Sequence, residues 1–172
     1  MKRRIIMSKL SEFLDYLENT AARHDPYVWG GQGQKLSKLL FMDLLKMEKH
    51  PQNVSRIAAY IQKCEAKGYD MKSCRIFDCS GLMTYKLLKL GVIDRDMTAK
   101  ELYQSCKEKG PIEQMKSFAP GTLLFQGKTP VEIYHVGAIT RDGTSVEAKG
   151  RDFGVIRTEF DLGRWDYYGV IF

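Results

Sequence analysis

The chain lacks any long apolar run: no segment approaches the roughly 20 apolar residues a membrane-spanning helix needs, so no membrane span is expected. Cysteine is scarce, with four in 172 residues, too few for the disulfide framework of a small secreted domain. Cys64, Cys74, Cys79 and Cys106 are not spaced as paired metal ligands, and the three histidines are dispersed. At least three of these cysteines are therefore expected to be buried thiols, and neither a metal nor a cofactor is expected. Internal repeats and low-complexity segments are also missing. Met1-Lys2-Arg3-Arg4 begins as a signal peptide does, but Ile5-Ile6-Met7 is far too short an apolar core to follow it. Synthesis in the cytoplasm without a signal peptide is the expectation.

What is present is an ordinary globular composition, 44% hydrophobic and 28% charged, in a length that suits a single domain over residues 1–172. The net charge of +6 suits an acidic partner such as an anionic polymer or membrane surface. The lysines and arginines are scattered, without a basic stripe interleaved with aromatics, so nucleic acid is not expected as a partner. The sequence does not settle the oligomeric state.

Leu10, Phe13, Leu14, Leu17 and Ala21 recur at helical spacing, which predicts a helix over about 9–23 capped by Ser8. Two further helices, about Leu36 to Lys49 and from Val54 to Gly68, read as a helical insertion at about 35–70. A helix opens at Phe77-Asp78-Cys79-Ser80-Gly81 and ends near Gly91. Thr98 and Glu101 form a capping box for another, ended by Gly110-Pro111. From Pro120-Gly121 the period changes to that of strands: Thr122–Gln126, Glu132–Thr140, Ser145–Lys149, Gly154–Phe160 and Trp165–Phe172, with Asp142-Gly143 marking a hairpin. Helices first and an antiparallel sheet last predict an α+β fold, not a doubly wound parallel sheet.

Cys79 at a helix start is the candidate nucleophile. The helix N-terminus offers partial positive charge and free amides, which favour thiolate and supply an oxyanion donor. His135, on a strand of otherwise apolar residues, is the candidate general base; Gly137 is expected to leave its sheet face open. A cysteine at a helix start followed in the chain by a histidine on an antiparallel strand is the arrangement of papain-like hydrolases. Glu147 is the candidate orienting residue, provided the hairpin turn between the two strands holds an odd number of residues. An outward strand carboxylate is the competing reading of Glu147.

Asp78-Cys79-Ser80-Gly81-Leu82, Tyr134-His135-Val136-Gly137 and Val146-Glu147-Ala148 resemble, in order, the three signatures of the NlpC family of papain-like cell-wall cysteine peptidases. Tyr27-Val28-Trp29-Gly30-Gly31 is similar to the family's tyrosine segment, and Pro120–Phe125 to its strand leading to the histidine. The resemblance implies a papain-like fold with the nucleophile helix packed on the sheet. It implies catalytic roles for Cys79, His135 and Glu147, and substrate-binding roles for Tyr27, Asp78 and Ser80. The third position is commonly histidine, asparagine or glutamine in the family, so glutamate is a departure. The implied activity is hydrolysis of an amide bond in peptidoglycan stem peptides, between D-glutamate and a diamino acid, through an acyl-enzyme. The implied setting is a bacterium, with the enzyme carried to the cell wall by a phage or acting on recycled wall fragments inside the cell. An amidase or acyltransferase on the same scaffold, or a non-catalytic phage-tail protein, stays open.

Overall fold

The computed structural model describes residues 2–172, with side chains described from Ile5 onward. Five helices and eight strands follow in the order α1 (Lys2–Ala22), β1 (Gln32–Lys35), α2 (Phe41–Glu48), α3 (Pro51–Ala66), β2 (Arg75–Phe77), α4 (Cys79–Lys89), α5 (Ala99–Ser105), β3 (Glu108–Pro111), β4 (Leu123–Gly127), β5 (Ile133–Ile139), β6 (Ser145–Gly150), β7 (Gly154–Thr158) and β8 (Tyr167–Val170). Six strands form one antiparallel sheet in the order β3-β8-β4-β5-β6-β7, and β1 pairs with β2 apart from it. The fold is α+β.

Strand alternation divides the core. Leu123, Phe125, Val136, Ala138, Val146 and Ala148 face the helices, where they pack with Phe13, Leu17, Leu82, Met83 and Leu87. Leu124 and Ile139 face the other way and pack with Ile112, Trp165 and Tyr168. A period of two thus sends alternate residues into two different clusters.

Three local expectations are corrected. Ser8 caps nothing, because α1 runs unbroken from Lys2. The second helix starts at Phe41 rather than Leu36: the Asp43 carboxylate accepts the Leu40 N–H at 2.9 Å, fixing the start there, and Leu36–Lys38 make only a 3-10 turn. The capping-box helix ends at Ser105, and Glu108–Pro111 leave it to become the edge strand paired with β8. Single-strand signals were absent there because an edge strand of four residues has too little alternation to read.

The first turn of α4 lies against the backbone that follows Tyr27. Asp78 N–H donates to Gly31 O at 2.9 Å, and a Cβ added at Gly81 would fall 2.0 Å from that same oxygen. Gly81 is therefore required by helix-to-loop packing, and the room it provides is already filled by Gly31. Alanine in place of a helical glycine gains about 1 kcal/mol of propensity, whereas forcing a methyl into packed backbone costs about 1–3 kcal/mol or more. Gly81→Ala is expected to be net destabilising by up to about 2 kcal/mol, read as a lower midpoint in urea denaturation; a neutral or stabilising result would show that the loop yields.

Candidate active site

Tyr27 is placed by backbone pairing. Val28 N–H donates to Phe77 O at 2.9 Å and Phe77 N–H to Pro26 O at 3.1 Å, bridging Tyr27 to the residue just before Asp78. Asp78 is the N-cap of α4. Its Oδ1 accepts from the Gly81 N–H at 2.7 Å and from Ser80 Oγ at 3.2 Å, and its Oδ2 accepts from the Gly30 N–H at 2.9 Å. The carboxylate is thus occupied in capping the helix and pinning the loop. Burial raises the Asp78 carboxyl above its ordinary value, against those hydrogen bonds.

Cys79, the first residue of α4, is half-buried, while Cys64, Cys74 and Cys106 are buried; all four are free. The β5–β6 ladder covers only Gly137 to Ile139. Ahead of it, the thiol takes a place along β5, with Sγ 3.7 Å from Tyr134 O. The N–H groups of Ser80, Val136 and Cys79 itself favour negative charge on the sulfur. They are outweighed. Burial first, and then the Asp78 charge, push the thiol up to about 12, opposite in direction to the lowering expected of a helix start. Burial, followed by the Cys79 and Asp78 charges, also raises the buried Tyr27 phenol.

His135 follows the carbonyl that touches Cys79. Its Nε2 lies 2.7 Å from Glu147 Oε2. Glu147 pairs across the ladder with Gly137, two residues along, and the turn between Ile139 and Ser145 holds the five residues 140–144. That odd number puts both side chains on one sheet face. Burial opposes ionisation of Glu147, but hydrogen bonds from His135 and Arg164 prevail and hold its carboxyl below the ordinary value. An ionised carboxylate only accepts, so Nε2 carries the proton and Nδ1 is left as the basic ring atom.

Trp165 fills the face that Gly137 was expected to leave open. A Cβ on Gly137 would meet the indole at 2.7 Å, and the indole lies parallel to the His135 ring at 11° with centroids 5.9 Å apart. It is buried, and its Nε1–H has no acceptor among the described residues, a cost of about 1–3 kcal/mol. Sequence reasoning treated Trp165 as terminal-strand packing and missed Arg164, whose guanidinium forks onto both oxygens of Glu147. It also missed Glu48. This buried carboxylate at the end of α2 accepts from the Trp29 N–H at 2.7 Å and from Arg151 Nε at 2.6 Å. Arg151 in turn lies 5.5 Å from the centre of the Tyr27 ring. No local pattern marks either residue, since each acts on a partner more than 15 positions away. Among the described residues, no group of three or more His, Cys, Asp and Glu is placed to hold a metal ion.

A thiol at a helix start, set against an antiparallel strand whose next residue is a histidine held by a carboxylate, defines the papain-like class of cysteine–histidine sites. The chain belongs to the NlpC/P60 family, whose model matches residues 24–170. Among solved structures it is similar to the P60 domain of an antigen of M. avium subspecies paratuberculosis. The two are 21% identical with a TM-score of 0.54, over 94% of this chain and 96% of that one. It is also similar to the peptidoglycan hydrolase RipB of Mycobacterium tuberculosis, at 18% identity and a TM-score of 0.55, over 95% of this chain and 67% of that one. Both likenesses concern the fold. No curated protein shows significant similarity to the chain.

Cys79 is the one half-buried thiol, so iodoacetamide on the native protein should modify it first. Because burial and Asp78 keep the proton on sulfur, its rate should climb steadily between pH 6 and 9, as the thiolate fraction grows. A rate already maximal at pH 6 would instead show a preformed thiolate–imidazolium pair.

Proposed function

We propose that this chain is a cysteine peptidase that hydrolyses an amide bond in peptidoglycan stem peptides, the bond joining D-glutamate to a diamino acid. The observation that carries the reading is the Cys79 thiol 3.7 Å from Tyr134 O, beside a His135 oriented by Glu147 at 2.7 Å. Membership of the NlpC/P60 family supports it, and a net charge of +6 suits an anionic wall polymer.

In this mechanism His135 Nδ1 takes the thiol proton as Cys79 Sγ attacks the scissile carbonyl. A buried, protonated thiol makes that transfer part of the attack. The free amide of Cys79 at the start of α4 faces the developing oxyanion. The C–N bond then breaks, His135 gives its proton to the leaving amine, and a thioester remains. Water, deprotonated by the same imidazole, attacks the thioester and the thiol is re-formed. Tyr27 contributes its hydroxyl beside the carbonyl. Asp78 and Ser80 form one wall of the substrate's amine pocket, with Asp78 acting mainly through the loop and helix it holds together. Glu48 and Arg151 set the Tyr27 side of the cleft.

Digestion of defined muropeptides with mass detection tests the reading. The wild type should release the two fragments flanking the D-glutamyl bond. Cys79→Ala and His135→Ala should each lower kcat/KM by about 10³-fold or more, with stability within ~1 kcal/mol of wild type. Transfer of the acyl group to an added amine instead of water would mark an acyltransferase, and a wild type as inert as Cys79→Ala would mark an idle structural site.

A further inference from the structure

Burying a lone carboxylate beside a catalytic imidazole carries two penalties. The ion loses its water, and its charge holds the proton on the ring against transfer. Glu147 is fully buried, yet both penalties are met by one residue from another part of the chain. Arg164, in the turn between β7 and β8, places one guanidinium nitrogen on Oε1 and another 2.5 Å from Oε2, the oxygen that also accepts from His135. The fork is itself fixed. Gln126 Nε2 donates to Arg164 O at 2.8 Å, and Gln126 sits directly opposite His135 in the β4–β5 register. The guanidinium also lies 5.1 Å from the centre of the Trp165 ring, whose face covers His135.

We infer that Arg164 is a positioning residue that neutralises Glu147, so that His135 meets an acceptor of nearly zero net charge and keeps a mobile proton. Nearby charged groups have partners of their own. Asp78 on α4 is tied to Gly30, Gly81 and Ser80, the thiol of Cys79 on the same helix is raised by burial, and so is the Tyr27 phenol. Asp166, leading into β8, accepts from the Gly127 N–H at 2.8 Å. Arg164 is the cation in direct contact with Glu147, and its removal leaves a bare anion against the ring. Replacing Glu147 by glutamine does the opposite, leaving a bare cation.

The inference rests on the cysteine–histidine reading of the site, but its test does not need the substrate. Charge balance makes a signed prediction for iodoacetamide alkylation of Cys79 at pH 7, which reports the thiolate–imidazolium population. Arg164→Gln strengthens the hold on the imidazolium and should speed alkylation by about tenfold, the equivalent of one pH unit. Glu147→Gln should slow it by about tenfold. The double variant Glu147→Gln/Arg164→Gln removes both charges and should return to within about threefold of wild type. A purely structural role would move both single variants the same way and leave the double variant worst, and that outcome would overturn the inference. Arg164→Lys keeps the charge without the fork and should stay within about threefold of wild type. It carries the test if the glutamine variant does not fold, and a tenfold change in it would count equally against the charge argument. If muropeptides go uncleaved while these signed shifts appear, the peptidase reading fails and the role of Arg164 stands.

Discussion

The rest of the site depends on the contact between the first turn of α4 and the backbone at Gly30-Gly31. The helix can approach this tightly because Gly81 carries no side chain against the Gly31 carbonyl, while Gly31 in turn lies against the Phe77 and Val28 backbone. Asp78 then serves both partners: one oxygen caps the helix and the other takes the Gly30 N–H. Because Tyr27 is bridged to Phe77 on the same segment, the junction sets the phenol, the cap and the thiol as one unit. The sheet brings His135 to that unit through the Tyr134 carbonyl.

Burial first, and then the Asp78 charge at this junction, work against a thiolate at Cys79. A helix N-terminus favours thiolate through free N–H groups and its dipole. Here the cap uses the Gly81 N–H for Asp78 and sets a carboxylate next to the sulfur. The helix start holds Cys79 in place without favouring its thiolate. In the proposed mechanism activation falls to the imidazole, which gives weight to the electrostatics around Glu147.

Residues in regular surroundings were readable from sequence, and those acting through distant partners were not. The α+β order followed from where the hydrophobic period changes, and the β5–β6 hairpin from Asp142-Gly143; whether Glu147 shared the face of His135 hung on the turn length, which is five residues. The start of α2 was decided by a capping contact and the end of α5 by an edge-strand pairing, not by propensity. Gly137 read as an opening, yet it is small because Trp165 occupies the space, as the Gly31 carbonyl does beside Gly81. An absent side chain in a sequence marks close approach at least as often as vacancy.

Arg164 and Glu48 share a logic that no local pattern reveals. Each belongs to a buried ion pair whose other member stands beside a proposed catalytic group: Glu147 by His135, and Arg151 by Tyr27. Buried pairs gain little net stability, because desolvation offsets most of their attraction. What the Arg164 pair supplies is a neutral acceptor that leaves the neighbouring proton free to move, while Arg151 holds Glu48 through the single oxygen Oε2. Both are therefore better understood as parts of the site than as struts of the fold. One pair reaches the His135 imidazole and the other the Tyr27 ring.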